Sequence, residues 1–423
     1  MLDIRLIREN PDRVVERLKT RGKGDEASVA RILEVDGLRR EVIVEVEKLK
    51  AERNAISKEI GGRKSRGEAA DDLLAGMKEK SDRIAELDGK QAELDERQRD
   101  LLLQVPNLPH ADCPLGLDAA ANPVVKTFGE KAGFDFEPLD HVALVEKLGL
   151  VDFKAGATLS GSGFFVFRGA GARLERALLN FLLDLHTREH GYTEIFPPFL
   201  VRESCMVGTG QLPKFREDMY HLEGEDLFLA PTAEVPVTNL HREEILAREQ
   251  LPIKYAAYTP CFRREAGSAG RDNRGMIRVH QFDKVELVKI VEPEKSYQEL
   301  EILRSHAERV LELLGLHYRT IELCSGDMGF GAAKCYDIEV WAAGSKSYLE
   351  VSSCSNFEDF QARRMNLRYK TEDKKNVFCH TLNGSGTALP RLFVALVENG
   401  QQADGSIRLP AVLHSYFGAG EIR

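Results

Sequence analysis

Cysteine is scarce and scattered in this 423-residue chain: Cys113, Cys205, Cys261, Cys324, Cys335, Cys354 and Cys379, odd in number and without a CxxC pair. That pattern excludes a disulfide framework and a zinc cluster, and predicts reduced thiols in a cytoplasmic protein. Long apolar runs are missing too. No stretch approaches the ~18 residues of a membrane span, so no membrane partner is expected. The start, MLDIRLIRENPDRV, has no apolar signal core and carries acids that a transit peptide avoids. Positive charge is not in excess: 59 Lys and Arg against 68 Asp and Glu leave a net −9 and a pI near 5.8. Such a balance argues against indiscriminate nucleic-acid binding and leaves room for a local basic patch. The glycine runs 161–163 and 169–171 lack the GK[ST] of a P-loop and the strand–GxGxxG–helix setting of a dinucleotide fold, and read as flexible joints. There is no internal repeat.

What is present falls into two textures. At 43% apolar and 30% charged residues, the length suits a globular protein of two domains, expected over 1–110 and 111–423. Asn10-Pro11-Asp12 is a helix start. Apolar seams follow, at Val35, Val42, Val46, Leu49, Ile56 and Ile60, then at Leu73, Met77, Ile84, Leu87, Leu94, Leu101 and Val105. These predict an antiparallel coiled-coil arm over about 30–105, turning at GGRKSRG (61–67). Lys58, Arg63, Lys64 and Arg66 outnumber the acids at its tip, so the tip suits RNA phosphates as well as it suits dimerisation.

Beyond a Pro- and Ala-rich linker (111–123) the texture becomes α/β. An amphipathic helix over 171–190 leads into a strand over 192–201 that contains Pro197-Pro198. Short strands are expected over 226–230, 333–340 and 348–353. A helix is expected over 297–314, a polar turn over 383–386 and a final helix from Pro390. The central stretch is 258–286, YTPCFRREAGSAGRDNRGMIRVHQFDKVE. Two strand-like runs, 258–265 and 279–290, flank a Gly-, Ser-, Asp- and Arg-rich loop and predict a long hairpin. Alternation puts Arg263 with Glu265 on one face, and His280 with Phe282 and Glu286 on one face. A guanidinium suits a phosphate, an aromatic face suits a purine and a carboxylate suits an ammonium, so the hairpin suits ATP together with an amino acid.

This run resembles motif 2 of the class II aminoacyl-tRNA synthetases, and FRRE followed by GMIRVHQFDKVE is similar to the bacterial-type seryl-tRNA synthetases. The helix–strand–proline unit around Pro198 resembles motif 1, the homodimer contact of that class, and 383–391 (NGSGTALPR) resembles motif 3. The resemblance spans the chain. It implies an α+β fold with an antiparallel β-sheet flanked by helices, preceded by a coiled-coil tRNA-binding arm. It implies an enzyme that activates L-serine with ATP and Mg²⁺ and charges serine tRNA, and selenocysteine tRNA where that exists.

The resemblance also carries roles. Arg263 and Arg391 meet the ATP phosphates, with Arg264 and Glu265 beside them. Val279 and Phe282 hold the adenine. Within Glu350-Val351-Ser352-Ser353, the ATP segment, Glu350 and Ser353 meet Mg²⁺. Thr232-Ala233-Glu234, Arg263, Glu286 and Ser385 bind serine. Cys261 reads as a buried thiol, since the chemistry requires no nucleophile.

Two other readings compete: a class II-like ligase that loads a carrier protein, and an inactive paralogue serving as a binding module. The first should lack the arm, and the second should show gaps among Arg263, Glu265, Glu286, Glu350 and Arg391, which are all present. Only about 30 residues follow Arg391, too few for a further RNA-reading domain of ordinary size, so tRNA choice is expected to fall to the arm.

Overall fold

A computed structural model describes residues 1–266 and 275–423; most of the Gly- and Arg-rich hairpin loop expected from the sequence (267–274) lies outside them. The chain divides into two compact units, Met1–Pro106 and Asn107–Arg423.

In the first unit, α1 (Ile4–Glu9) is capped by the Asp3 side chain, and α2 (Pro11–Lys19) begins on its proline. Two long antiparallel helices follow, α3 (Ser28–Ser65) and α4 (Asp71–Gln104). Val35, Val42, Val46, Leu87 and Leu94 form a buried seam between them, with Leu49 and Leu101 partly buried beside it. At 1.5 Å per residue α3 is roughly 57 Å long, and so narrow a seam leaves most of both surfaces wet. Charges bridge the pair along its length: Arg39 to Asp95, Glu52 to Lys80, and Lys50 to Asp88 at 3.2 Å. One polar layer is buried, where Asp36 accepts from Arg8 Nε at 2.7 Å and from Gln98 Nε2 at 3.1 Å.

The arm turns later than its glycines suggest. Gly61 and Gly62 stay helical, because the seam continues to a buried Ile60, and the helix ends only at Ser65. Gly67, at φ +74°, supplies the left-handed residue that reverses the chain.

In the second unit, eight strands make one sheet: β1 (Val124–Phe128), β2 (Thr193–Ile195), β3 (Ile253–Phe262), β4 (Gln281–Val291), β5 (Tyr318–Glu322), β6 (Lys334–Ala342), β7 (Ser347–Asn356) and β8 (His380–Ala388). Their order is β1-β5-β6-β7-β8-β4-β3-β2, and every neighbouring pair is antiparallel except β2 with β3. The flanking helices are α5 (His141–Lys147), α6 (Ala170–Asp184), α7 (Ser296–Leu313), α8 (Phe360–Met365) and α9 (Leu389–Gly400). Leu174, Leu178 and Phe181 of α6, Leu300 and Leu303 of α7, and Leu392 and Phe393 of α9 share one buried core with Val285 and Leu287 of β4. Strand alternation therefore turns Phe282, Lys284 and Glu286 away from that core.

Three expectations need correction. Residues 383–386 are not a turn but lie inside β8. Their glycines serve close packing: a Cβ on Gly384 would stand 3.0 Å from Cys354 Sγ, and one on Gly386 2.8 Å from His186 Nε2. The 192–201 stretch is two strands rather than one. β2 ends at Ile195, Pro197-Pro198 break the ladder, and Leu200–Arg202 pairs separately with Leu227–Leu229. Gly163 is more than a joint, because at φ +80° it makes room for His280, whose ring a Cβ would meet at 2.5 Å.

Candidate active site

The two arms of the β3–β4 hairpin pair in register from Ile253↔Ile290 to Phe262↔Gln281, so residues just past the end of β3 stand beside the start of β4. Arg263 leaves the ladder there, its backbone N–H donating to His280 O at 2.9 Å. Its guanidinium lies 5.2 Å over the Phe282 ring, and its Nε donates to Pro231 O at 3.3 Å. Glu265 turns inward through a left-handed backbone (φ +51°) and pairs with Arg278. His280 does not join Phe282 and Glu286. It precedes β4, lies against the Phe164 ring at 5.3 Å with the two planes tilted by 38°, and bonds Arg263 O through Nδ1 at 3.0 Å.

Around this corner lies a cavity of about 300 Å³. Arg263, Glu265, Val279, Phe282 and Glu286 line it from the hairpin, and Thr232 and Glu234 from the preceding loop and short helix. Glu350, Val351 and Ser353 contribute from β7, and Ser385 and Arg391 from β8 and α9. Glu350 and Ser353 are three residues apart and would face opposite ways in a regular strand. The register slips there, Ile338 pairing with Ser352 and Glu339 with Glu350, so Val351 is an extra residue that brings both to the cavity. A second slip between Ser385 and Thr387 does the same for Ser385 and Ala388.

Three expected site residues are not part of the lining. Ala233 is buried in a separate apolar cluster. Ser352 lies behind the wall and donates to Ser385 O at 2.6 Å. Arg264 is exposed, and its N–H donates to Asp218 O at 2.9 Å. The other four expected contacts, Lys58, Arg63, Lys64 and Arg66, belong to the first unit, at the end of α3. There Arg63 pairs with Glu59 and Asp72, and Arg66 pairs with Glu68. Lys58 and Lys64 are exposed and make no ion pair among the described residues.

Several lining residues were not foreseen: Gln211, Met276, Ile277, Arg278, Lys284, Asn383 and Ser355. Lys284 was legible, since it sits between Phe282 and Glu286 on the same alternating face. Gln211 follows a helix far from any motif, and no local signal points to it.

The lining carries charge of both signs. Arg391 is held by two carbonyls, its Nε donating to Ile277 O at 3.2 Å and Nη1 to Glu350 O at 2.8 Å. It also lies 3.4 Å from the Glu350 carboxylate. Arg263, over the Phe282 ring and beside Pro231, is a second guanidinium of the lining. Two of the lining carboxylates are buried. Glu286 is buried and paired through Oε2 with Lys284, while its Oε1 accepts no hydrogen bond among the described residues. Glu234 accepts from Gln361 Nε2 at 2.6 Å, and burial together with the Glu286 charge pushes its carboxyl up to about 7. The Cys261 thiol is fully buried and raised by burial, unsuited to attack.

Glu234 should therefore make stability depend on pH. Its folded-state pKa lies above the ordinary 4.5, so the stability it contributes is complete below pH 4.5 and is lost as pH rises through about 7. At 1.36 kcal/mol per pH unit that loss is about 3 kcal/mol. Glu234→Gln should escape it: denaturant titrations should show the variant gaining on the parent between pH 4.5 and 8. An equal gap at both ends of that range would contradict the assignment.

Known proteins resemble this chain over its whole length. Residues 1–109 match the family description "Seryl-tRNA synthetase N-terminal domain", and residues 217–400 match "tRNA synthetase class II core domain (G, H, P, S and T)". The chain is 61% identical over 423 residues to a serine–tRNA ligase of Akkermansia muciniphila, covering 100% of this chain and 99% of the relative. It is 54% identical, with the same coverage, to that of Carboxydothermus hydrogenoformans. Among solved structures, a seryl-tRNA synthetase from Pyrococcus horikoshii complexed with ATP superposes with a TM-score of 0.94 at 40% identity, covering 100% of this chain and 99% of that one.

Proposed function

The chain belongs to the seryl-tRNA synthetase family, a class II family of ATP-dependent ligases, and from that premise we propose how its residues divide the work. The observation that carries the reading is one cavity lined by two guanidiniums, an aromatic ring and two buried carboxylates. Arg263, Arg391 and Phe282 suit ATP, and Glu286 and Glu234 suit the ammonium and hydroxyl of L-serine.

Phe282 and Val279 receive the adenine, and Arg263 and Arg391 hold the phosphates. Glu286 and Glu234 take the ammonium and hydroxyl, with Thr232 and Ser385 completing the pocket. Held in line, the serine carboxylate attacks the α-phosphorus. A new P–O bond forms as the bond to the β-phosphate breaks, and pyrophosphate departs. The terminal ribose hydroxyl of tRNA then attacks the seryl carbonyl and releases AMP. Positioning and charge neutralisation supply the catalysis, and no protein nucleophile is needed.

The oxygen donors at Glu350 and Ser353 fit a magnesium ion, which usually takes one or two carboxylates beside substrate phosphates. Asp337, opposite Ser353 in the ladder, supports this: burial and the Glu350 charge raise its carboxyl to about 8, a repulsion that a dication would relieve. When bound, the ion would neutralise phosphate charge.

Neither alternative reading survives. A carrier-protein ligase should lack an arm, and here residues 1–109 match the synthetase N-terminal domain, while full-length relatives are serine–tRNA ligases. The decisive experiment is ATP–pyrophosphate exchange across a panel of amino acids, followed by charging of serine tRNA. Serine alone should support exchange, and exchange driven equally by another amino acid would overturn the reading. Removing the buried acceptor in Glu286→Ala should raise the serine KM by at least about 10²-fold while the ATP KM changes little, as expected when a charged partner is left unmatched. A serine KM like the parent's would remove Glu286 from the pocket.

We further propose a homodimer through the Pro197-Pro198 region, where Phe196 is 73% and Leu200 40% exposed. Each arm would guide tRNA to the partner's pocket.

A further inference from the structure

The cavity wall formed by Met276 and Ile277 is held from behind by a buried pair that motif reasoning did not single out. His141, the first residue of α5, is 3% exposed and Glu398, near the end of α9, is 0%. The Glu398 carboxylate accepts four hydrogen bonds. From His141 it takes the backbone N–H at 2.8 Å and ring Nδ1 at 3.0 Å; from Ser345 it takes the backbone N–H at 2.8 Å and Oγ at 2.6 Å. The other ring nitrogen, His141 Nε2, accepts the Met276 N–H at 3.3 Å.

Chemistry settles the tautomer. A backbone N–H can only donate, so Nε2 carries the lone pair and Nδ1 carries the proton toward the carboxylate. Gly275 fits the same arrangement: it sits at φ +74°, and a Cβ there would stand 2.2 Å from His141 Nε2. Glu398 and Arg391 lie on one helix. That helix therefore grips the 275–277 segment twice, directly through Arg391 Nε to Ile277 O and indirectly through Glu398 and His141 to Met276 N.

We propose that His141 is a positioning residue for ATP. Oriented by Glu398, it fixes the Met276–Val279 wall against which the nucleotide packs, without touching the reacting atoms or the serine end. The inference rests on the proposed placement of ATP against Arg263, Arg391 and Phe282.

Two substitutions separate the two ring nitrogens. His141→Asn places an amide near the Nδ1 position, keeping the link to Glu398 and losing the acceptor for Met276. His141→Gln places an amide oxygen near Nε2, keeping that acceptor and losing the Nδ1 link. In ATP–pyrophosphate exchange, His141→Asn should raise the ATP KM about tenfold, the size of one lost hydrogen bond to a buried donor, with serine KM and kcat within about twofold. His141→Gln should recover most of the loss. Glu398→Gln, which turns an amide donor toward the Ser345 N–H, should give the same selective rise in ATP KM and serves if a His141 variant does not fold.

An ATP KM equal to the parent's in His141→Asn, or serine KM and kcat shifting in the same proportion, would overturn the inference. Arg391→Ala distinguishes the levels. If it raises the ATP KM and His141→Asn does not, only the positioning role falls. If it too leaves the ATP KM unchanged, the nucleotide placement falls and the inference with it.

Discussion

Arg263→Ala is expected to lower serine-dependent ATP–pyrophosphate exchange by at least about 10³-fold, the upper range for removing one preorganised donor from a developing anion. The side chain is held before any substrate arrives. Its backbone is tied to His280, its Nε to Pro231 O and its guanidinium over Phe282 at 5.2 Å. Such preorganisation means little reorganisation is needed when charge develops on the α-phosphate. Arg263→Lys should recover only a small part of the rate, because an ammonium supplies charge without the planar fork or the stacking face. If the lysine variant approaches parental exchange, a point charge suffices and the fork has no role.

The second large effect concerns the arm. The structure favours an excision further out than the whole 30–105 segment. Asp36 ties α3 to Arg8 and to Gln98 at the base, so cutting there would unsettle α1 as well. Joining Val42 to Leu87 through a short Gly-rich linker keeps that layer. Serine activation should stay within about twofold, since every proposed adenylate residue belongs to the second unit, while tRNA charging should fall by at least about 10²-fold as the phosphate contacts are lost. Undiminished charging would sink the proposed RNA role.

Mixing tests the direction of delivery. The arm-excised protein has a live pocket, and an Arg263→Ala protein has an intact arm. If arms serve the partner's pocket, subunit exchange should restore charging. If each arm serves its own pocket, exchange confirmed by mass should leave charging absent. Within the tip, neutralising Lys58 and Lys64 should flatten the salt dependence by about one log–log unit per contact. Arg63 and Arg66, already paired with acids, should contribute less.

That Phe282 and Glu286 share a face was legible because alternation holds inside a strand, and Lys284 could have been read the same way; His280 was misplaced because it stands just before β4 begins. The slips at Val351 and Gly386 were not legible. A bulge is a property of two strands, and neither strand's sequence announces it. Glycine misled twice for the same reason. At 61–62 and at 384–386 it read as chain reversal, whereas the partner surfaces, Ile60's seam in one case and Cys354 with His186 in the other, determined helix and strand. His141 escaped notice because its partner, Glu398, is 257 residues away.

The strand order also bears on synthesis at the ribosome. β8 is the last of the eight sheet strands to be made, yet it sits between β7 and β4. The first unit pairs helices that are near neighbours in the chain and can fold early. The sheet cannot close until residue 388 has emerged. Until then the nascent chain carries two edges, those of β7 and β4, that the finished sheet pairs, a state prone to sticking. A chain stopped before His380 should partition into the insoluble fraction even though its first unit is intact, and soluble, monodisperse material would refute this. Insertion of β8 also brings in Ser385 and leads into Arg391, so no half-made sheet would carry a finished catalytic centre.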